Sequence, residues 1–448
     1  MSPSLSLDCW RIDEPASTDL LERRTWASFH CDVNGVNATR FLNRQTGEEA
    51  KDIYIPTFPL ARWIVGNWWQ MLYEPCVNRT PPFENSTWTR EQRHWIGRHC
   101  LRSADSGLFL PFLSIFGNGK GVSVHWRADN PNDALGMPGY FLASDEAHFD
   151  RQVAETALSQ FVGTVLNWCK DVDDQRVRDL RADWQAITSA NSDERDFCKG
   201  AGRLGLDPYA VADWPNGLPD FLCQLLGDQD KAPLVKDLLE SNSLPASVQA
   251  TWHWIVETMN RFEIRGKGTS GQTQSNGFRT PKDEGYAWAR ILRADLDSHK
   301  PIEDLPRFSR EIGVSFVSED HNHLPQGSNV RAAVGWRKSG DAIIAGPLPH
   351  RQDSQRFIES RGLYHLLTGS RQSPRLVTQS STWEQQAARA FAAELLAPQE
   401  GLVPHARPDM DSEERSELLE KLATHYRVST EVIRLQLQNS GVWQDTDS

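Results

Sequence analysis

Arg356-Phe-Ile-Glu-Ser-Arg-Gly-Leu-Tyr-His-Leu-Leu367, a polar crossover, then Trp383-Glu-Gln-Gln-Ala-Ala-Arg-Ala-Phe-Ala-Ala-Glu-Leu-Leu-Ala-Pro398: this stretch reads as two helices joined by a loop. In the second, Ala388, Phe391, Ala392, Leu395 and Leu396 recur at the i, i+3, i+4, i+7, i+8 spacing of one helical face, and Pro398 ends the run. The buried face is rich in small residues, which lets a neighbouring helix approach closely. The segment carrying His365 is the expected neighbour.

In these residues the chain resembles the ImmA/IrrE-like zinc metallopeptidases, whose core reads R-F-x-x-A-H-E-x-G-H-x-L and, further on, E-A-N-x-F-A-A-E-L-L-x-P. The matching positions are Arg356, Phe357, Leu363, His365, Leu366 and Leu367 in the first helix, and Phe391 through Leu396 with Pro398 in the second. The resemblance covers Asp283 to about Val442. It implies a zincin-like α+β domain in which Gly285, Trp288, Ala289, Leu292 and Leu296 form one face of a first helix. Three strands, Ile312 to Val317, Ala332 to Trp336 and Ala342 to Ala345, are then expected ahead of the His365 helix.

The H-E-x-x-H motif works because two His four residues apart face one side of a helix and hold zinc, while the Glu serves as general base. In register with His365 as the second His, Arg361 stands at the first ligand position and Gly362 at the general-base position. The third-ligand position falls on Ala387. An Arg puts a permanent positive charge where a dication would sit. The expectation is a zincin-like fold without the zincin site, with no catalytic residue and no cofactor.

Arg361, Tyr364 and Glu394 are the candidate residues of a partner-binding groove. For Arg361 the competing role is a salt bridge to Glu359, Glu384 or Glu394 that ties the two helices together. Asp320-His-Asn-His323 invites a metal reading, since H-x-H in a strand puts both rings on one face, but the following Leu-Pro-Gln-Gly favours a solvated turn. A zinc site rebuilt from His321, His323 and His365, or from Glu359 and Glu394, is the alternative.

With 448 residues the chain has room for two or three domains, and 39% hydrophobic with 24% charged residues belongs to a globular protein with a sizeable core. The net charge of −12 argues against general affinity for nucleic acid or an anionic membrane. Seven Cys include no C-x-x-C pair, and the N-terminus has neither a basic region nor a long apolar run, so reduced thiols and a cytoplasmic location are expected.

Residues 1–145 read as a β-rich, Trp-rich module, with strands near Thr25 to Val33, Lys51 to Ile55, Gly107 to Ile115 and Gly121 to Trp126. A helix from Leu60 to Leu72 lies between them. Its Trp63, Trp68 and Trp69 offer either a core or a stacking platform for a ring-shaped ligand. Residues 146–263 read as helical, beginning with a helix capped by Ser144 or Asp145 that carries Phe149, Val153, Ala157, Phe161 and Val165. Within them, Asp196 to Tyr209 has the outline of a helix-turn-helix in acidic surroundings, so a packing module is preferred to a DNA reader. Residues 264–282 read as a linker and 283–448 as the metallopeptidase-like domain. Two short helices close the chain, in a tail whose ten acidic and five basic residues from Gln399 onward give a net −5.

The function expected from this resemblance is a non-catalytic regulatory or interaction protein on an ImmA/IrrE-like scaffold. Its partner would be a protein, with a transcriptional repressor as the class the family implies. The alternative is an active zinc metalloendopeptidase with displaced ligands that cleaves a helix-turn-helix regulator.

Overall fold

Strict alternation builds the first sheet. Along Trp26–Val33, Ala27, Phe29, Cys31 and Val33 are buried while Trp26, Ser28, His30 and Asp32 lie on the other face. This strand pairs antiparallel with Leu5–Arg11 on one side and with Ile53–Pro56 on the other. The inner face is covered by the Arg151–Trp168 helix, where Phe161 meets Phe29 edge to face at 5.6 Å. In the computed structural model residues 4–12, 17–76, 88–131, 136–266, 278–294, 300–321, 323–369 and 373–443 are described. They form a mixed α+β protein of two compact units, Met1–Leu226 and Gly227–Ser448, so the boundary falls inside the stretch read as one helical region.

In the first unit a second sheet runs in the order Asp145–Phe149, Val122–Arg127, Phe112–Gly117. The expected Leu60–Leu72 helix is two helices, Phe58–Gly66 and Trp68–Tyr73, broken at Asn67. Trp63, Trp68 and Trp69 are 8%, 6% and 5% exposed, which places them in the core and not on a stacking platform. Trp63 Nε1 donates to Gly97 O at 2.8 Å and Trp68 packs edge to face on Trp184. The helix expected to carry Phe149 starts two residues later, at Arg151, because Phe149 ends a strand. Helix Arg90–His99 lies in the stretch read as β-rich, and Gln175–Ser189 falls within the stretch read as helical. The helix-turn-helix outline does not form as read. Ser192–Arg203 is followed by a turn at Gly205 (φ +69°) and a 3-10 turn, and the next α-helix begins only at Leu218.

The second unit is built on a four-stranded sheet in the order Phe316–Asp320, Ala342–Gly346, Val330–Trp336, Arg375–Thr378, the first pair parallel and the others antiparallel. The fourth strand lies in the stretch read as a polar crossover. The Gln352–Thr368 helix carries His365 and lies on the sheet so closely that a Cβ on Gly362 would sit 2.6 Å from Ile344 Cδ1. The Trp383–Leu396 helix does have a close neighbour on its small-residue face, and that neighbour is the Pro281–Arg293 helix. A Cβ on Gly285 would lie 2.3 Å from Ala387 O, so only glycine allows this approach. The His365 helix also packs on it, through Tyr364 against Phe391.

Of the expected linker, residues 267–277 lie outside the described residues, as does Leu296. Arg265 bridges antiparallel to Trp336. The tail forms helices Ser412–Tyr426 and Thr430–Asn439, the latter capped by Ser429, over a small core that includes Leu396, Leu402 and Trp443.

Candidate functional site

Arg361 and His365 sit one turn apart on the Gln352–Thr368 helix, 5% and 1% exposed. The Arg361 guanidinium donates to Thr378 O and, at 2.7 Å, to Gln385 Oε1. Gln385 is the hinge of the arrangement: its Oε1 also accepts from Thr378 N at 3.0 Å. Its Nε2 donates to Leu376 O at 2.6 Å and faces His365 Nε2 at 3.4 Å. Because an amide NH₂ can only donate, His365 Nε2 accepts, which is the neutral imidazole. Burial, reinforced by the positive charges of Arg375 and Arg361, pushes the His365 pKa down to about 3.

Beside this group lies an ionic centre that the sequence did not reveal. Arg375 binds Asp237 with two nitrogens, at 2.9 and 2.8 Å, and also reaches Glu384. Although burial opposes it, the Arg375 charge holds the Glu384 carboxyl far below the usual range. Asp237 lies in the Ala232–Leu239 helix, far from Arg375 in sequence, so no local pattern could have paired them.

The three glutamates offered as partners for Arg361 have other employment. Glu384 meets Arg375, Glu359 accepts from Gln355 at 2.9 Å, and Glu394 pairs with Arg290 at 2.8 Å. Glu394 also accepts from Gln399 N and Gln436 Nε2, tying the Trp383–Leu396 helix to three neighbours. Tyr364 donates to Glu284 at 2.7 Å, and Trp383 Nε1 donates to the same carboxylate at 2.6 Å. Arg361, Tyr364 and Glu394 are 5%, 2% and 2% exposed, so as the chain stands they hold helices together and do not line an open groove.

The positions that hold zinc in the resembling family do not fit the ion here. Ala387 is fully buried against the Pro281–Arg293 helix, Gly362 faces Ile344, and the guanidinium of Arg361 fills the space beside His365 with hydrogen bonds. One imidazole with a cation one turn away is not a divalent-metal donor set. The Asp320–His323 segment differs from the solvated turn expected of it: His321 is buried, stacked on Trp254 at 5.4 Å and 2.8 Å from Thr258 Oγ1, while His323 is exposed with φ +79°. Among the described residues no group of three His, Cys, Asp or Glu side chains could hold a metal ion.

The first unit carries a second buried polar centre that sequence reasoning missed. Glu74, 6% exposed, accepts from Arg98 Nε at 2.8 Å and from His99 Nε2 at 2.9 Å. His99 Nδ1 lies 2.7 Å from Ile115 O, and its ring stacks on Trp95 at 4.3 Å. The adjacent R-H in Arg90–His99 was the only sequence signal. Comparison of the chain with protein-family models, with curated proteins and with solved structures returns no match.

Proposed function

We propose that the second unit is a zincin-like scaffold, related to the ImmA/IrrE-like zinc metallopeptidases, in which a hydrogen-bonded polar core has replaced the metal centre. On this reading the chain is a non-catalytic regulatory or interaction protein that binds a protein partner without cleaving it. A transcriptional repressor is the partner class that the resemblance supplies. The observation that carries the reading is the Arg361 guanidinium, which occupies the first-ligand position and is bonded to Thr378 O and Gln385. A fixed cation beside a neutral, buried His365 disfavours a bound dication by direct repulsion. A cytoplasmic setting belongs to the same proposal, supported by seven free thiols, five of them buried. No helix among the described residues is long and apolar enough to cross a membrane.

An active peptidase with displaced ligands would have to recruit His365 together with His321, His323, Glu359 or Glu394. Three of those four side chains are committed to separate partners, at Thr258, Gln355 and Arg290. Elemental analysis of the purified full chain, wild type beside His365→Ala, tests the reading. Less than a tenth of an equivalent of zinc in both is expected; about one equivalent in the wild type that disappears in the variant would overturn it.

A further inference from the structure

The outer face of the first sheet carries two largely exposed aromatic rings, Trp10 and Tyr54. Register sets Ser28, at the centre of the middle strand, directly between Trp10 and Tyr54 on the two flanking strands. Trp26 and His30 lie two residues before and after Ser28 on the same face. Neighbouring strands are about 4.8 Å apart and same-face neighbours about 7 Å apart, so four aromatic side chains rise around one small residue. Trp10 and Tyr54 are 56% and 62% exposed, although isolated rings of this size normally bury most of their area. The Trp10 and His30 rings are 6.5 Å apart and tilted by 59°, forming one corner of a box whose floor is a serine hydroxyl.

Charge on this face is of one sign. Asp8 pairs in register with His30, Asp32 follows on the middle strand, and Asp52 lies 2.9 Å from His30 Nδ1. None of the outward positions of the three strands is Lys or Arg. Asp8 is exposed, and its carboxylate has no hydrogen-bond or ion-pair partner among the described residues. Aromatic rings flanked by carboxylates repel a phosphate backbone, which argues against a nucleic acid. They attract a cation that sheds water easily and presents a flat face: a guanidinium stacks on Trp and Tyr and offers its edge to a carboxylate, whereas an ammonium holds its hydration shell.

We propose that this box is a docking site for an arginine side chain of an extended basic peptide segment in a partner protein. The guanidinium stacks over Ser28 between Trp10 and Tyr54, with Asp8 as its hydrogen-bonding carboxylate. The open, strand-lined face suits a peptide, whose main chain can follow the sheet, better than a free small cation that an exposed box could not enclose. The site lies wholly in the first unit and does not depend on the reading of the second.

The test is titration calorimetry of the full chain with tetra-arginine, with tetra-lysine and with a neutral cello-oligosaccharide of similar length. Tetra-arginine is expected to bind more tightly than tetra-lysine, and the sugar is expected not to compete. Trp10→Ala and Tyr54→Ala should each weaken binding about threefold and together about tenfold, and Asp8→Asn about threefold with a shallower salt dependence. Because these side chains are exposed, thermal unfolding should be unchanged. Ser28→Leu, which fills the floor without touching the core, should abolish binding. Tetra-arginine affinity unchanged in the Trp10→Ala/Tyr54→Ala variant, or a sugar that binds more tightly than the peptide, would overturn the proposal.

Discussion

Two histidines, His99 in the first unit and His365 in the second, are both almost completely buried, yet their partners are of opposite kind, a carbonyl and a carboxylate for one and an amide NH₂ for the other. Both ring nitrogens of His99 face acceptors, Ile115 O at 2.7 Å and the Glu74 carboxylate at 2.9 Å. His365 faces the donating amide of Gln385 with arginines nearby, so it is neutral. The difference teaches that burial alone does not assign a histidine. The partner atoms do, and only a carboxylate makes a buried cation tolerable.

The comparison breaks most visibly if the carboxylate is removed. Arg98 and His99 hold the Glu74 carboxyl down at about 2 against the opposing effect of burial. Glu74→Gln keeps the shape and leaves the half-buried Arg98 guanidinium and the fully buried His99 ring without their carboxylate. We expect a loss of about 3–5 kcal/mol of stability in the first unit, read by denaturant unfolding followed with residue-resolved hydrogen exchange. A loss below about 1 kcal/mol would mean that the carboxylate does not hold this cluster together, and the contrast with the environment of His365 would be lost.

A smaller effect is expected on the other side. Arg361→Met removes the donor to Thr378 O and Gln385 while keeping most of the aliphatic bulk. The cost should be about 1–3 kcal/mol, since buried acceptors lose a partner but no ion is left unpaired at them. The variant also removes one of the charges that hold His365 neutral, so its histidine should titrate at higher pH in an NMR titration. An unmoved His365 resonance profile would show that burial and Arg375 suffice.

How far this was legible in the sequence follows from range. The Trp383–Leu396 helix, its small-residue face and the Ser429 cap depend on neighbours within a few residues, and they could be read directly. The strand Arg375–Thr378 could not, because four residues flanked by polar ones carry no period; its place is fixed by pairing with Val330–Trp336. The registry drawn from the resemblance puts Arg361 and Ala387 at ligand positions and Gly362 at the general-base position, and of the three only Arg361 lies in the polar core. The groups around Arg361 and His365 come from Gln385, Thr378, Asp237 and Arg375, whose convergence is tertiary. Gly362 is the instructive case: a glycine where the resemblance expects a general base was readable, but the Ile344 side chain packed against it was not. The tryptophans divide in the same way. Helical spacing made Trp63, Trp68 and Trp69 conspicuous, while the exposed Trp10 gives no local signal because its surface neighbours are supplied by other strands.

The subtlest prediction concerns pH. A histidine held near 3 in the folded chain and near 6.5 when unfolded takes up a proton on unfolding anywhere between those values. The unfolded state then binds more protons, so stability rises with pH across that window, is fully present above 6.5, and declines on acidification by about 1.4 kcal/mol per pH unit. His125 and His148 in the first unit, both pushed down to about 4 by burial, impose a slope of the same sign, so the wild-type curve alone does not isolate His365. The difference between wild type and His365→Gln does, because glutamine retains hydrogen-bonding capacity and does not titrate. Between pH 6.5 and 4.5 the variant should lose stability less steeply than the wild type, by that same increment. Parallel curves would mean that His365 is already charged in the folded chain, which would remove the reason for reading Gln385 as its donor.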